Sequence, residues 1–219
     1  MSPRFTAKTV QRITATLAAT YPEAAPALVY STPFELLVAT VLSAQCTDKT
    51  VNRVTARLFK KYNTAEAFAA LDPEVLAEEI KECGLYRNKS KHLVAAAQAL
   101  LEQHGGIVPE TRDELEQLPG VGKKTAGVVT GILYNSGALP VDTHVFRIAH
   151  RLGWSKAKTP HQVEEDLIRH IPPPERMQVH HRLLSHGRQT CRSRNPLCAA
   201  CCFGNWLCQF PKQQARGEK

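Results

Sequence analysis

Several things are scarce in this chain, and each scarcity narrows what it is. No stretch of its 219 residues approaches the roughly 20 consecutive apolar residues that a membrane-spanning helix needs, so no membrane role is expected. The opening segment, MSPRFTAKTVQR, lacks the apolar core of a secretory signal. No window alternates polar and apolar residues for long enough to specify a strand, and no repeat period recurs. Acidic residues nearly vanish from the last fifth: from Arg176 onward, Glu218 is the sole acid against eight lysines and arginines. Cysteine is missing from most of the chain. Cys46 and Cys83 stand alone, while Cys191, Cys198, Cys201, Cys202 and Cys208 crowd into one short segment. What is present is globular in composition, 43% hydrophobic and 22% charged, enough for one sizeable core or two small ones. The net charge of +8 makes nucleic acid the first partner to test. In a reducing compartment, a cysteine cluster binds metal more often than it forms disulfides.

Helix punctuation dominates. Thr32-Pro33-Phe34-Glu35 reads as a capping box with proline at the first helical position, and Asp72-Pro73, Thr159-Pro160 and Thr111-Arg112-Asp113-Glu114 open further helices. Gly105-Gly106 closes the long run KSKHLVAAAQALLEQH. Apolar residues recur at helical spacing, as at Ile13 and Leu17 and at Leu93, Ala96, Ala97 and Leu100. The fold class is therefore all-α, with roughly ten helices of ordinary length. Pro172-Pro173-Pro174 reads as a stop between helices, and residues 212–219 as a frayed tail.

The most informative segment is Leu115 to Ala126, LEQLPGVGKKTA. Pro119 ends one helix, Gly120 and Gly122 permit a tight turn, and a second helix begins at Lys123. Gly120, Val121 and Gly122 then present backbone N–H groups at a helix N-terminus, where a phosphate can approach closely. This is the helix-hairpin-helix pattern of sequence-independent DNA binding. The bland alternative is an αα-corner whose glycines only make the turn.

Lys124 falls in the first turn of the second helix, where the macrodipole disfavours a cation. That is a poor place for a structural lysine and a good one for a nucleophilic amine. Asp142 opens the next segment, VDTHVFR. A helix from Lys124 to Asn135 climbs about 17 Å, and an extended return to Asp142 covers up to roughly 23 Å, so the two residues are within reach. Taken alone, Asp142 reads first as an N-cap. Cys191, Cys198, Cys201 and Cys208 give the spacing C-x6-C-x2-C-x6-C. Four thiolates with a single CxxC suit a [4Fe–4S] cluster, and structural zinc is the rival.

LPGVGKKTA followed by VDTHVFR, with LSAQCTDKTVN and GLYRNKSKHL upstream and HHRLLSHGRQTC and the cysteines downstream, resembles the endonuclease III family of DNA glycosylases. The resemblance covers most of residues 30–208. It implies that Lys124 attacks C1′ of a damaged pyrimidine nucleotide, that a Schiff base forms as the base leaves, and that β-elimination cuts the strand on the 3′ side. It implies that Asp142 assists the lysine and balances positive charge on the sugar. Flipping a nucleotide leaves a hole in the duplex, and the resemblance points to Gln45, Leu85 and His144 to fill it. It also implies a [4Fe–4S] cluster, in a family whose last cysteine gap is one residue shorter. Either a bulge near Phe203-Gly204 absorbs the extra residue or Cys202 replaces Cys201 as ligand. The CxxC favours Cys201. Ser193 and Arg194, in the loop this cluster would shape, are the expected phosphate contacts.

These readings predict two helical domains with DNA in a cleft between them. Residues 26–136 would carry the hairpin, at about 111–135, and residues 1–25 with 137–219 would carry the cluster loop, 191–208. The expected partner is double-stranded DNA with damaged pyrimidines or abasic sites, for a monomer in a prokaryotic cytoplasm associated with the nucleoid. Two rivals stay open. A monofunctional mismatch glycosylase would use a carboxylate in the helix before Gln45, where only Glu35 stands. A non-catalytic DNA-binding or redox-sensing module would need neither Lys124 nor Asp142.

Overall fold

The computed structural model describes residues 5–208 and Phe210, so the tail expected at 212–219 lies outside the described residues. Among the described residues there is no strand. There are twelve α-helices and one 3-10 turn, the excess over ten being short pieces of four to seven residues. None of these helices is long and apolar enough to cross a membrane. The chain divides into two compact units, a continuous one, Pro26–Ser136, and a split one joining Met1–Ala25 to Gly137–Lys219.

The continuous unit holds α2 (Pro33–Ser43), α3 (Asp48–Leu58), α4 (Ala65–Ala69), α5 (Pro73–Glu79), α6 (Tyr86–His104), α7 (Arg112–Gln117) and α8 (Lys123–Tyr134). Its centre is α2, buried from Phe34 to Leu42 and packed against α3, α6 and α8. A helix surrounded on all sides must satisfy its ends internally. At the N-terminus the Thr32 side chain accepts from the Glu35 amide (3.1 Å), and the buried Glu35 carboxylate accepts from the Ser31 amide (2.6 Å). At the C-terminus the ammonium of Lys89, only 5% exposed, donates to the carbonyls of Leu42 (2.8 Å) and Ala44 (2.6 Å). This is the favourable end of the helix for a cation. The capping threonines and Asp72 read from the sequence all stand at N-caps, and Gly105 closes α6 in the left-handed conformation.

The split unit holds α1 (Ala7–Thr20), α9 (Thr143–Leu152), α10 (Pro160–Ile168), α11 (Pro173–Gln189), a 3-10 turn (Cys198–Ala200) and α12 (Gly204–Leu207). Here α11 packs on α1 and α9, and α10 on α9. Val10, Ile13 and Leu17 of α1 meet Val145, Ile148 and Leu152 of α9 and Val179 and Leu183 of α11 in one core, which Phe5 closes by stacking on Trp154 (5.7 Å). Arg176 ties the beginning of α11 to the carbonyls of Gly137 (2.9 Å) and Ile171 (2.9 Å). The three prolines do mark a break: Pro172 precedes α11 and Pro173 begins it.

Candidate nucleic-acid interface

In the continuous unit the hairpin forms as α7, a turn at Leu118–Gly122, and α8. Leu115, Leu118, Val121, Ala126 and Val129 sit in the core and pin the two helices together. Gly120 has φ +77°, and a Cβ there would lie 2.6 Å from the Cβ of His92, so glycine is required on both counts. Gly122 is the N-cap of α8 in an extended conformation and gives no side-chain cap. A Cβ there would meet nothing within 4 Å. The first amides of α8 are thus left without a side-chain partner from the cap, which is the condition for an anion site. Lys124 is exposed in that first turn.

Gln45 and Leu85 lie on two other loops of this unit, after α2 and before α6. Both are non-glycine residues in the left-handed region, with φ +54° and +58°. Such strain costs roughly 1–3 kcal/mol and collects at sites of function. The two loops touch: a Cβ on Gly84 would lie 3.0 Å from the carbonyl oxygen of Gln45, so only glycine fits between them without a shift. Leu85 is 57% exposed, so its apolar side chain is available to a ligand.

In the split unit Asp142 is the N-cap of α9, its Oδ1 accepting from the amide of Val145 (2.8 Å). The N-cap reading of this residue is therefore correct, and it leaves the second carboxylate oxygen without a capping task. His144, in the first turn, lies against Gly187, where a Cβ would come within 2.8 Å of the His144 Cβ, and its Nδ1 is 3.0 Å from Arg147 Nη2. Arg147 donates onward to the carbonyls of Gly187 (3.1 Å) and Cys191 (3.0 Å). One turn later, Arg151 donates to the carbonyls of Arg192 (2.6 Å) and Ser193 (3.0 Å) and lies 3.4 Å from Cys191 Sγ. Sequence reading missed both arginines, which hold the cysteine loop to α9. Their spacing of four residues on one helix face, ahead of a cysteine-rich loop, was the available signal. With its carbonyl taken by Arg151, Ser193 is exposed beside Arg192 and Arg194.

The five clustered cysteines are half-buried. The thiols of Cys191, Cys198, Cys201 and Cys208 lie close enough to act on one another electrostatically. Burial pushes the Cys191 thiol up, but hydrogen bonds from His186 and Arg151 outweigh it and hold the thiol below its ordinary value. The neighbouring Cys202 thiol, with help from His186, brings Cys201 down to about 4. Cys202 itself is pushed up by Cys201 and by burial, while Thr20 of α1 engages its side chain. Gly204 turns the chain with φ +30° and donates to the Cys201 carbonyl (3.0 Å). Behind the loop, His186 is 3.9 Å from Cys201 Sγ through Nε2 and 2.9 Å from the Tyr21 hydroxyl through Nδ1. Among the described residues, no three His, Cys, Asp or Glu side chains gather as ligands of a single metal ion.

Known proteins match this chain in sequence and fold. Residues 38–173 fit the HhH-GPD superfamily of base excision DNA repair proteins. Endonuclease III of Bacillus subtilis (strain 168) is 47% identical over 182 residues, covering 83% of each chain. Endonuclease III of Escherichia coli (strain K12) is 43% identical over 184 residues, covering 84% of this chain and 87% of that one. Two solved structures align with a TM-score of 0.91 at 41% identity over 97% of this chain, a non-covalent endonuclease III–DNA complex and a trapped endonuclease III–DNA covalent intermediate. They are covered over 99% and 100% of their own lengths. On sequence and fold together, the chain belongs to the endonuclease III family within the HhH-GPD superfamily.

Proposed function

We propose that the chain is a bifunctional DNA glycosylase and abasic-site lyase that removes oxidised pyrimidines from duplex DNA. One observation carries this reading. An exposed lysine follows directly on a glycine hairpin with free helix amides, in a chain 41% identical to one trapped covalently on DNA. Glu35 does not suit the rival, a monofunctional enzyme, because its carboxylate is buried and committed to the Ser31 amide.

The chemistry follows from the residue types. The hairpin amides of Gly120 to Gly122, with Ser193 and Arg194 on the cysteine loop, bind backbone phosphates and fix the duplex without reading its sequence. A damaged pyrimidine turns out of the stack at a cost of a few kcal/mol. Leu85 supplies apolar bulk to the gap, and Gln45 and His144 supply hydrogen bonds to the orphaned base. The Lys124 amine attacks C1′ and the base departs. The sugar ring opens to an iminium, a proton leaves C2′, and the 3′ phosphate is expelled. Hydrolysis of the imine restores the lysine. The Asp142 carboxylate, oriented by its bond to the Val145 amide, assists the amine and balances the charge developing on the sugar. The enzyme acts as a monomer on chromosomal DNA, in the nucleoid of a prokaryotic cytoplasm.

Cys191, Cys198, Cys201 and Cys208 would hold a [4Fe–4S] cluster. The chemistry of the donor set fits: four thiols close enough to act on one another electrostatically, with the Arg151 guanidinium beside Cys191 and the His186 ring beside Cys201 to offset negative charge. Cys202, drawn toward Thr20, is the one left out. When bound, the cluster supplies a rigid cross-link that shapes residues 192–197 for phosphates.

The test is borohydride trapping on duplex DNA containing thymine glycol, with wild type beside Lys124→Ala. The reading expects a covalent complex from wild type alone. Base release without trapping by either protein would replace it with the monofunctional reading.

A further inference from the structure

Two cysteines outside the cluster loop flank the residues assigned to the gap. Cys46 follows Gln45, and Cys83 precedes Gly84-Leu85. Their loops meet where the Gln45 carbonyl lies beside Gly84, and the two thiols are close enough to act on one another electrostatically. Cys83 is 1% exposed, whereas Cys46 is half-buried at the edge of the same core. The Lys89 ammonium, held on the carbonyls of Leu42 and Ala44, lies close enough to act on both thiols. Chemically this is an oxidisable pair: one half-buried cysteine and one buried cysteine, brought side by side by two adjoining loops.

We propose that Cys46 and Cys83 close to a disulfide under peroxide and thereby displace the Gln45 and Leu85 loops, switching off base excision reversibly. The atoms balance. The Cys46 sulfur attacks the O–O bond of hydrogen peroxide, giving a sulfenic acid and water. The Cys83 sulfur then attacks the Cys46 sulfur, and the departing hydroxide takes the Cys83 proton as a second water. A dithiol reductant restores both thiols. Burial, and then the neighbouring thiol, pushes Cys83 up to about 12, so it stays protonated until Cys46 is oxidised.

The consequence comes from geometry. The two sulfurs must close to about 2.05 Å to bond. The Gln45 carbonyl lies beside Gly84, each cysteine is within two residues of a gap-filling residue, and both gap-filling residues occupy left-handed backbone. Closure therefore moves Gln45 and Leu85. A displacement of about 1 Å near a reacting centre costs on the order of 100-fold in rate. This part of the proposal rests on the gap-filling role assigned to these residues above.

The experiment uses the full-length, cluster-loaded protein under limited hydrogen peroxide, with cluster absorbance followed throughout. Non-reducing peptide mapping reads the cross-link, hydrogen exchange reads residues 44–47 and 83–87, and single-turnover kinetics read thymine glycol excision. The expected result is a 46–83 cross-link, changed exchange in both loops, and excision slowed at least about tenfold, all reversed by dithiothreitol. Cys46→Ala should excise before treatment and keep its activity after it. Absence of the 46–83 link overturns the proposal, as does a cross-linked protein with unchanged loops and excision, or a Cys46→Ala protein inactivated equally. If the reduced wild type never excises thymine glycol, the functional reading fails instead, and mapping with exchange still decides the disulfide.

Discussion

In the continuous unit, the loops bearing Gln45 and Leu85 are set by the core beneath them. α2 is buried from Phe34 to Leu42, Lys89 holds its last carbonyls, and Gly84 admits the neighbouring loop. In the split unit, residues 191–208 have little apolar material, with Phe203 and Leu207 as the buried side chains. Arginines do the holding there, Arg147 and Arg151 donating to loop carbonyls, beside half-buried thiols. One unit forms these loops chiefly by packing, with one buried lysine on their carbonyls. The other leaves a loop whose shape depends on a few charged hydrogen bonds and on what its thiols bind. Stability should therefore respond to packing changes in the first and to polar changes in the second.

The largest effect belongs to Gly120→Val. It places a branched side chain at φ +77° and within 2.6 Å of His92. Overpacking and left-handed strain together should cost about 4 kcal/mol. Hydrogen exchange resolved by unit should locate that loss in Pro26–Ser136 and leave α9 to α11 unchanged. Equal loss in both units would break the comparison.

Acid should act on the other side. His181 on α11 is 7% exposed, its Nε2 has no hydrogen-bond partner, and burial followed by repulsion from Arg188 pushes the imidazole down to about 4. The unfolded chain then binds the proton first, so stability is full above about pH 6.5 and falls as the pH drops toward 4. The loss approaches about 3 kcal/mol. His181→Leu should flatten the slope of urea midpoint against pH over this window. A slope unchanged in the variant would assign acid sensitivity elsewhere.

Arg147→Met should cost about 2 kcal/mol, since the carbonyls of Gly187 and Cys191 lose a charged donor. Exchange should rise at residues 187–198, with little change in Pro26–Ser136. If the loop keeps its protection, the thiols and not the arginines hold it.

The same contrast governs what the sequence revealed. Local signals were legible: the threonine caps, Gly105, the hairpin glycines and the N-cap at Asp142 each act within a few residues of themselves. Tertiary devices were not. No local rule puts Gln45 and Leu85 in left-handed backbone, because neither residue prefers it and only the packing of two distant loops imposes it. Glu35 showed itself as a capping residue, but its burial depended on neighbours remote in sequence. The role of Arg147 and Arg151 was hidden because a charge count treats every arginine as surface. The short 3-10 turn and α12 carry too little periodicity to be read.

The smallest effect gives the finest control on the comparison. Thr32→Ala removes the side-chain acceptor for the Glu35 amide at the start of α2. A threonine cap of this kind contributes about 1 kcal/mol. Here the Glu35 carboxylate still holds the Ser31 amide, so half of the capping box survives. The loss should stay near 1 kcal/mol by urea titration, with excision unchanged because Gln45 lies beyond the far end of α2. If excision falls with so small a loss, the loops bearing Gln45 and Leu85 are tuned through the length of α2. Packing in the continuous unit would then be as sensitive as the polar contacts of the split one.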